Sequence, residues 1–230
     1  TKCPVAFLAT AGLDKIGIRV PAHKGTQLLL RAFGKPVAAP SANPSGQISP
    51  STADHVIHSL GTNVGFVLDG GPCESGLEST IIDCTGQKAR LLRPGGITRE
   101  AIANALAAAG LDPKITIARP LGDKTTPIAP GQLTSHYAPR ATLRVAAQAR
   151  RRGEEMIGFG KIHGAGKLQL NLSASGNLVE AAANLFAHLR AADRMAATHG
   201  LTTIAVAPIP KEGLGEAIND RLARAAAPRE

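Results

Sequence analysis

The chain has 230 residues, 26 Lys+Arg against 17 Asp+Glu, a formal charge of +9 and a hydrophobic share of 43%. That apolar share can bury a core and excludes global disorder, and no apolar run reaches the ~18 residues of a membrane-spanning helix. No Trp, one Tyr and five Phe leave few platforms on which an RNA binder could stack bases.

At about 100–200 residues per domain, the length allows one large domain or two small ones. The opening residues lack the pattern of a secretion signal, so the expected location is the cytoplasm. Residues 1–140 carry five more basic than acidic side chains and residues 141–230 four more. The excess is spread evenly, which argues against a nucleic-acid patch and fits a small anionic ligand. Arg150-Arg151-Arg152 is followed at once by Glu154-Glu155 and reads as a solvated loop or helix end. Cys3, Cys73 and Cys84 form no CxxC pair, so reduced thiols are expected rather than a disulfide framework or a zinc site.

In chain order, residues 16–20 (Ile-Gly-Ile-Arg-Val) predict a strand that stops at Pro21. Residues 26–33 predict a helix with Leu28, Leu29, Leu30 and Ala32 on its apolar face. Residues 36–39 predict a short buried strand running into a loop, Pro40-Ser41-Ala42-Asn43-Pro44-Ser45-Gly46. Ser51-Thr52-Ala53-Asp54 has the form of a capping box opening a helix through Leu60. Strands are expected at 66–68, 79–83 and 89–92, then an Ala-rich helix at 97–109 closed by Gly110. Pro113, Pro120, Pro127 and Pro130 interrupt the next stretch, residues 111–140, which reads as a linker ending in Pro130-Gly131 and His136-Tyr137-Ala138-Pro139. A second α/β unit begins near 141, with strands at 142–146, 156–159, 168–170 and 203–207. Its helices start at a capping box over Asn177 to Glu180 and at Gly215, the latter running to Ala226. The fold class is therefore α/β, with a largely parallel sheet expected.

Among the motifs, the glycine-rich stretch 158–167 fails as a phosphate loop: Lys161 stands where a Walker A glycine belongs and Leu168 follows Lys167. It reads as a turn. The loop at 40–46 presents Ser41 and Asn43 between two prolines, which suits anion oxygens and equally an ordinary turn. Gly76-Leu77-Glu78-Ser79-Thr80 places Ser79 at a strand entrance, and Leu92-Arg93-Pro94-Gly95 places Arg93 at a strand end. Arg93, and Arg19 in its apolar run, can each fork onto an anion or sit in a structural ion pair. His55 and His58 lie three apart with no third ligand near, so no structural metal is expected. No nucleophile elbow is present.

Together these segments resemble the threonylcarbamoyl-AMP synthase family in its long form. The matching pieces are Ala11-Gly12-Leu13-Asp14 with Ile18-Arg19-Val20-Pro21, the 39–46 loop, Gly76 to Thr80, Leu92 to Gly95, and the Pro130-Gly131 and His136-Tyr137-Ala138-Pro139 pair. Glu212-Gly213-Leu214-Gly215-Glu216-Ala217-Ile218-Asn219-Asp220-Arg221-Leu222 resembles the signature of the family's second domain. The resemblance implies a YrdC-like twisted mixed sheet with helices, a linker, and a small Rossmann-like α/β domain. The implied bounds are 1–111 for part of the catalytic domain, 112–140 for the linker or lid, and 141–230 for the second domain.

It also implies a nucleotidyltransferase that joins L-threonine, bicarbonate and ATP into threonylcarbamoyl-AMP, with Mg²⁺ accompanying ATP and pyrophosphate leaving. A separate threonylcarbamoyl transferase complex would then modify adenosine 37 of tRNAs reading ANN codons. By motif match, Arg19, Ser41 and Ser79 would hold threonine, and Asn43, Ser51, Arg93 and Tyr137 would contact ATP. Lys15 departs from the family's usual Thr. The family's catalytic domain ordinarily begins well upstream, with further strands and a triphosphate-gripping Lys/Arg pair. The expectation is therefore a C-terminal part of the protein, short of full activity alone. Two other readings are a non-catalytic YrdC-like module binding double-stranded RNA or tRNA, which would show steep salt dependence, and a carbamoyltransferase-type maturation domain. Weak tRNA binding is compatible with the synthase reading too.

Overall fold

The computed structural model describes residues 5–10, 12–117, 129–167 and 169–229. The chain divides into two units, residues 1–41 and residues 42–230. Cys3, Ala11, Pro120, Pro127 and Leu168 lie outside the described residues.

Among its described residues the first unit holds one α-helix, α1 (Lys24–Phe33). His23 caps it by accepting the Thr26 N–H at 3.2 Å, and Gly34 closes it at φ 69°, a left-handed turn that only glycine enters cheaply. The strands expected at 16–20 and 36–39 are not formed. Ile18 and Val20 are 82% and 87% exposed, and Val37 is 54% exposed. A strand is stabilised by a neighbour that pairs its backbone and covers its apolar face. No described residue of this unit does either. Instead the Arg19 side chain reaches across and donates from Nη2 to the Ala39 carbonyl at 3.3 Å.

The second unit opens with α2 (Ala53–Leu60). Its cap is Thr52, which accepts the His55 N–H at 3.2 Å, one residue later than the expected Ser51 box. The strand expected at 66–68 is absent, with Phe66 81% exposed. Strands β1 (Ile81–Asp83), β2 (Arg90–Arg93) and β3 (Thr116–Ile117) form a sheet in that order. β1 and β2 are antiparallel, with Ile82 opposite Leu91. β2 and β3 are parallel, so this sheet is mixed. Asp83 shapes the β1–β2 turn by accepting the Thr85 N–H and hydroxyl at 2.9 and 2.6 Å. Helix α3 (Arg99–Ala108) lies between β2 and β3, capped by Thr98. β3 thus falls inside the stretch read from sequence as linker.

The second sheet, β4 (Thr142–Arg144), β5 (Glu154–Ile157) and β6 (Thr203–Val206), has the order β4-β6-β5 and is parallel throughout. Helices α4 (Leu178–Thr198) and α5 (Leu214–Ala226) supply its core. Leu185, Phe186 and Leu189 of α4 and Ile218 and Leu222 of α5 pack with Ile157, Ile204 and Val206. Each such side chain contributes roughly 1.5–3 kcal/mol when fully buried. Asn177 caps α4 by accepting the Val179 and Glu180 N–H groups, but the Glu180 carboxylate does not reach back as a simple capping box would. It takes the Ser173 hydroxyl at 2.5 Å, and Ser173 Oγ accepts the Asn177 N–H at 2.9 Å. Residues 169–170 form no strand; Gly158 N–H donates to the Leu170 carbonyl at 2.8 Å and anchors that turn. Among the described residues no helix is long and apolar enough to cross a membrane.

Candidate functional site

Strand alternation buries Leu91 and Arg93 on one face of β2 while Arg90 and Leu92 are partly exposed. The register that sets Arg93 opposite Ile81 brings its guanidinium to the turn before β1. There Nε and Nη2 both donate to the Ser79 carbonyl, at 3.2 and 2.8 Å. Nη1 donates to the Pro130 carbonyl at 3.1 Å. One arginine thus holds a sheet-entry turn and the C-terminal part of the linker stretch together. Burial and the nearby Arg221 charge push the Arg93 pKa below its ordinary value.

Tyr137 completes this corner. It is 1% exposed and adopts φ 61°, a left-handed conformation that costs a non-glycine residue of order 1–3 kcal/mol. Its ring meets His136 edge-on at 4.2 Å and Phe186 at 5.4 Å. The Arg221 guanidinium lies 5.3 Å from its centroid, within cation–π range. The Tyr137 hydroxyl is buried and faces the Arg93 guanidinium. Gly131, at φ 79°, leaves the space this hydroxyl points into; a Cβ there would collide with Tyr137 Oη. Burial raises the Tyr137 pKa and lowers that of His136, so both are neutral near pH 7.

The loop after residue 42 joins the same corner. Asn43 Nδ2 donates to the Pro44 and Gln47 carbonyls at 2.9 and 3.1 Å, and its Oδ1 is buried without a hydrogen bond among the described residues. Ala138 N–H donates to the Gly46 carbonyl at 2.9 Å, next to Tyr137. Ser49 donates to Glu78 Oε1 at 2.7 Å. Arg190 of α4 holds the Ile48 and Ser49 carbonyls at 2.5 and 3.2 Å. Ser51 is buried, with His55 Nδ1 3.3 Å from its N–H and from its hydroxyl.

Of the seven residues picked out from the sequence, Ser79, Arg93 and Tyr137 are brought together, and the loops bearing Asn43 and Ser51 are tied to them through Ala138 and Ser49. Arg19 and Ser41 lie in the first unit, both exposed, where Arg19 bonds two residues from Ser41. Sequence reasoning assigned no role to Glu78, Arg190 or Arg221. Arg221 did leave a signal: it falls on the buried face of α5 among Ala217, Ile218, Leu222 and Ala225. Two clefts of about 440 and 300 Å³ flank the start and the middle of α5, and neither is lined by any of the seven.

A family model described as threonylcarbamoyl-AMP synthase, C-terminal domain, matches residues 97–227, and one described as telomere recombination matches residues 2–95. The chain belongs to the threonylcarbamoyl-AMP synthase family. The Pyrococcus abyssi synthase is 35% identical over 238 residues, covering 96% of this chain and 66% of its own length. The Bacillus subtilis synthase is 41% identical over 149 residues, 64% of this chain and 41% of its own. A crystal structure of P. abyssi Sua5 complexed with L-threonine superposes with a TM-score of 0.79 at 31% identity, covering 96% of this chain and 67% of that one. A variant of the same archaeal protein with an adjacent His and Tyr both replaced by Ala gives 0.77. The chain therefore spans two fifths to two thirds of the length of these two synthases.

Proposed function

We propose that this chain carries the linker-side half of the active site of an L-threonylcarbamoyladenylate synthase. The observation that carries the reading is the Arg93 clamp, which joins the Ser79 turn to the Pro130 carbonyl seven residues before Tyr137. The Pyrococcus structure with bound L-threonine supports threonine as substrate. This chain's single Tyr sits in a His136-Tyr137 pair, which matches the kind of pair replaced in the archaeal variant.

In the reaction, threonine's amine and bicarbonate give a carbamate: the N–C bond forms, a C–O bond of bicarbonate breaks, and water leaves. A carbamate oxygen attacks the α-phosphorus of ATP, and the bond to the pyrophosphate oxygen breaks. No protein nucleophile is needed; the protein holds anions in line and offsets their charge. Arg19, Ser41 and Ser79 are the proposed threonine contacts. Asn43, Ser51, Arg93 and Tyr137 are the proposed ATP contacts. Arg93 uses three of its five N–H groups on the two carbonyls and also faces the Tyr137 hydroxyl, so its charge is set at this corner, where it would offset that of a phosphate. Among the described residues no three His, Cys, Asp or Glu side chains gather into a metal site. Mg²⁺ is proposed to enter as the ATP complex, where it would draw charge from the phosphates. The linker would close over the nucleotide and keep water from an easily hydrolysed product. The product would pass to a threonylcarbamoyl transferase complex acting on tRNA in the cytoplasm.

The test is pyrophosphate release by the protein with MgATP, L-threonine and bicarbonate. The reading predicts release that requires all three. Binding of tRNA that weakens steeply with salt, with no response to threonine, would favour the RNA-binding reading instead.

A further inference from the structure

We propose that Arg221, on the terminal helix α5, is a positioning residue for the threonine and ATP site, fixing the Ser79 turn, the Arg93 turn and Tyr137 at once. The inference rests on the synthase reading above.

Arg221 is fully buried, in the middle of the apolar face of α5. A guanidinium in that setting is tolerated only when its donors are met. Its partners lie where the site is built. Nε donates to Glu78 Oε2 at 2.7 Å, and Glu78 immediately precedes Ser79. Nη2 donates to the carbonyl of Pro94 at 2.9 Å, and Pro94 immediately follows Arg93. The guanidinium faces the Tyr137 ring at 5.3 Å. Asp220, its chain neighbour, accepts from Nη1 at 2.5 Å and pairs on its other side with Arg224 at 3.1 Å.

Two arginines thus brace one turn at adjacent residues. Arg93 holds the Ser79 main chain, and Arg221 holds the Glu78 side chain. Glu78 passes the restraint on through the Ser49 hydroxyl to the loop of Asn43 and Ser51. The 76–80 and 93–96 turns also touch directly, because Gly96 N–H donates to the Glu78 carbonyl at 3.1 Å. Gly95 leaves no room for a Cβ against that backbone. A salt bridge serving stability alone could pair any acid. This one joins residues adjacent to two proposed ligand contacts and stacks on a third.

The experiment compares wild type with Arg221→Lys and with the double variant Glu78→Gln/Arg221→Met. Lys keeps a cation beside Glu78 but cannot fork onto the Pro94 carbonyl as well. The double variant removes both charges, so no unpaired carboxylate stays buried. Thermal unfolding and calorimetric titration with L-threonine and MgATP are read together. Arg144→Met, which breaks the Arg144–Glu154 pair of the second sheet, serves as the structural control: its melting temperature falls and its affinities hold. The proposal expects both Arg221 variants to fold and to bind threonine and ATP at least about ten-fold more weakly, as misplaced contacts do. Wild-type affinity in either folded variant, or failure of both to fold, overturns it. If wild-type protein binds neither ligand, the synthase reading fails, independently of Arg221.

Discussion

Ser49 and Glu78 are joined by a 2.7 Å hydrogen bond that spans 29 residues of sequence and fastens the 43–51 loop to the turn of Ser79. Burial pushes the Glu78 carboxyl up, yet the Arg221 charge and the hydrogen bonds from Arg221 and Ser49 outweigh it and hold the pKa below the ordinary value. Ser49→Ala removes one donor to a largely buried carboxylate. The expected loss of stability is about 1–3 kcal/mol, read from urea unfolding. A loss within about 0.5 kcal/mol, the range of ordinary surface changes, would show that the contact carries no weight.

Arg93→Lys keeps a positive charge but cannot hold the Ser79 and Pro130 carbonyls together, because an ammonium lacks the planar fork. The ATP dissociation constant should rise by about ten-fold or more while the protein stays folded. Unchanged ATP binding in Arg93→Lys would remove Arg93 from the proposed nucleotide contacts.

Gly131→Ala places a methyl group against Tyr137 Oη at a φ of 79°. Strain and collision add, and the cost should exceed the roughly 1 kcal/mol of a tolerated glycine change. Tyr137 must shift to make room, so ATP affinity should fall with stability. Denaturant unfolding paired with nucleotide titration checks both, and a neutral effect would contradict the packing at this corner.

Stability should fall with acid in two stages. Burial lowers the pKa values of His55, His136 and His188. A group with a lowered folded pKa stabilises above its unfolded value, near 6.5 for His, and loses that contribution as pH falls through the folded value. The first stage therefore begins below about pH 6.5. Glu78, also lowered, is stabilising above about pH 4.3 and loses its contribution as pH falls further. A melting temperature that stays level from pH 7.5 down to about pH 5 would contradict the first stage.

Much of the second unit is legible in the sequence. Asn177 announces α4, and the apolar spacing through Leu185, Phe186 and Leu189 fixes its buried face. The strand near 203 arises from a short β-branched and apolar run, whereas the strand near 156 has only Met156 and Ile157 as its apolar half and starts on two buried glutamates, Glu154 and Glu155. The strands read at 16–20, 36–39 and 66–68 do not form, since pairing and cover are non-local and the local pattern cannot supply them. The α2 cap slipped by one residue because Ser51 and Thr52 are both competent and only the backbone decides. Arg93 and Tyr137 were visible through their motifs. Arg221 leaves only its place among the apolar positions of α5, a signal that does not separate a buried charge from the edge of a solvated face.

The most direct test of the account is calorimetric titration of the protein with L-threonine and then with MgATP, repeated in Arg93→Lys. The account predicts saturable binding of both ligands by wild type and weakened ATP binding by the variant. Absence of threonine binding, or equal ATP binding by both proteins, would contradict it.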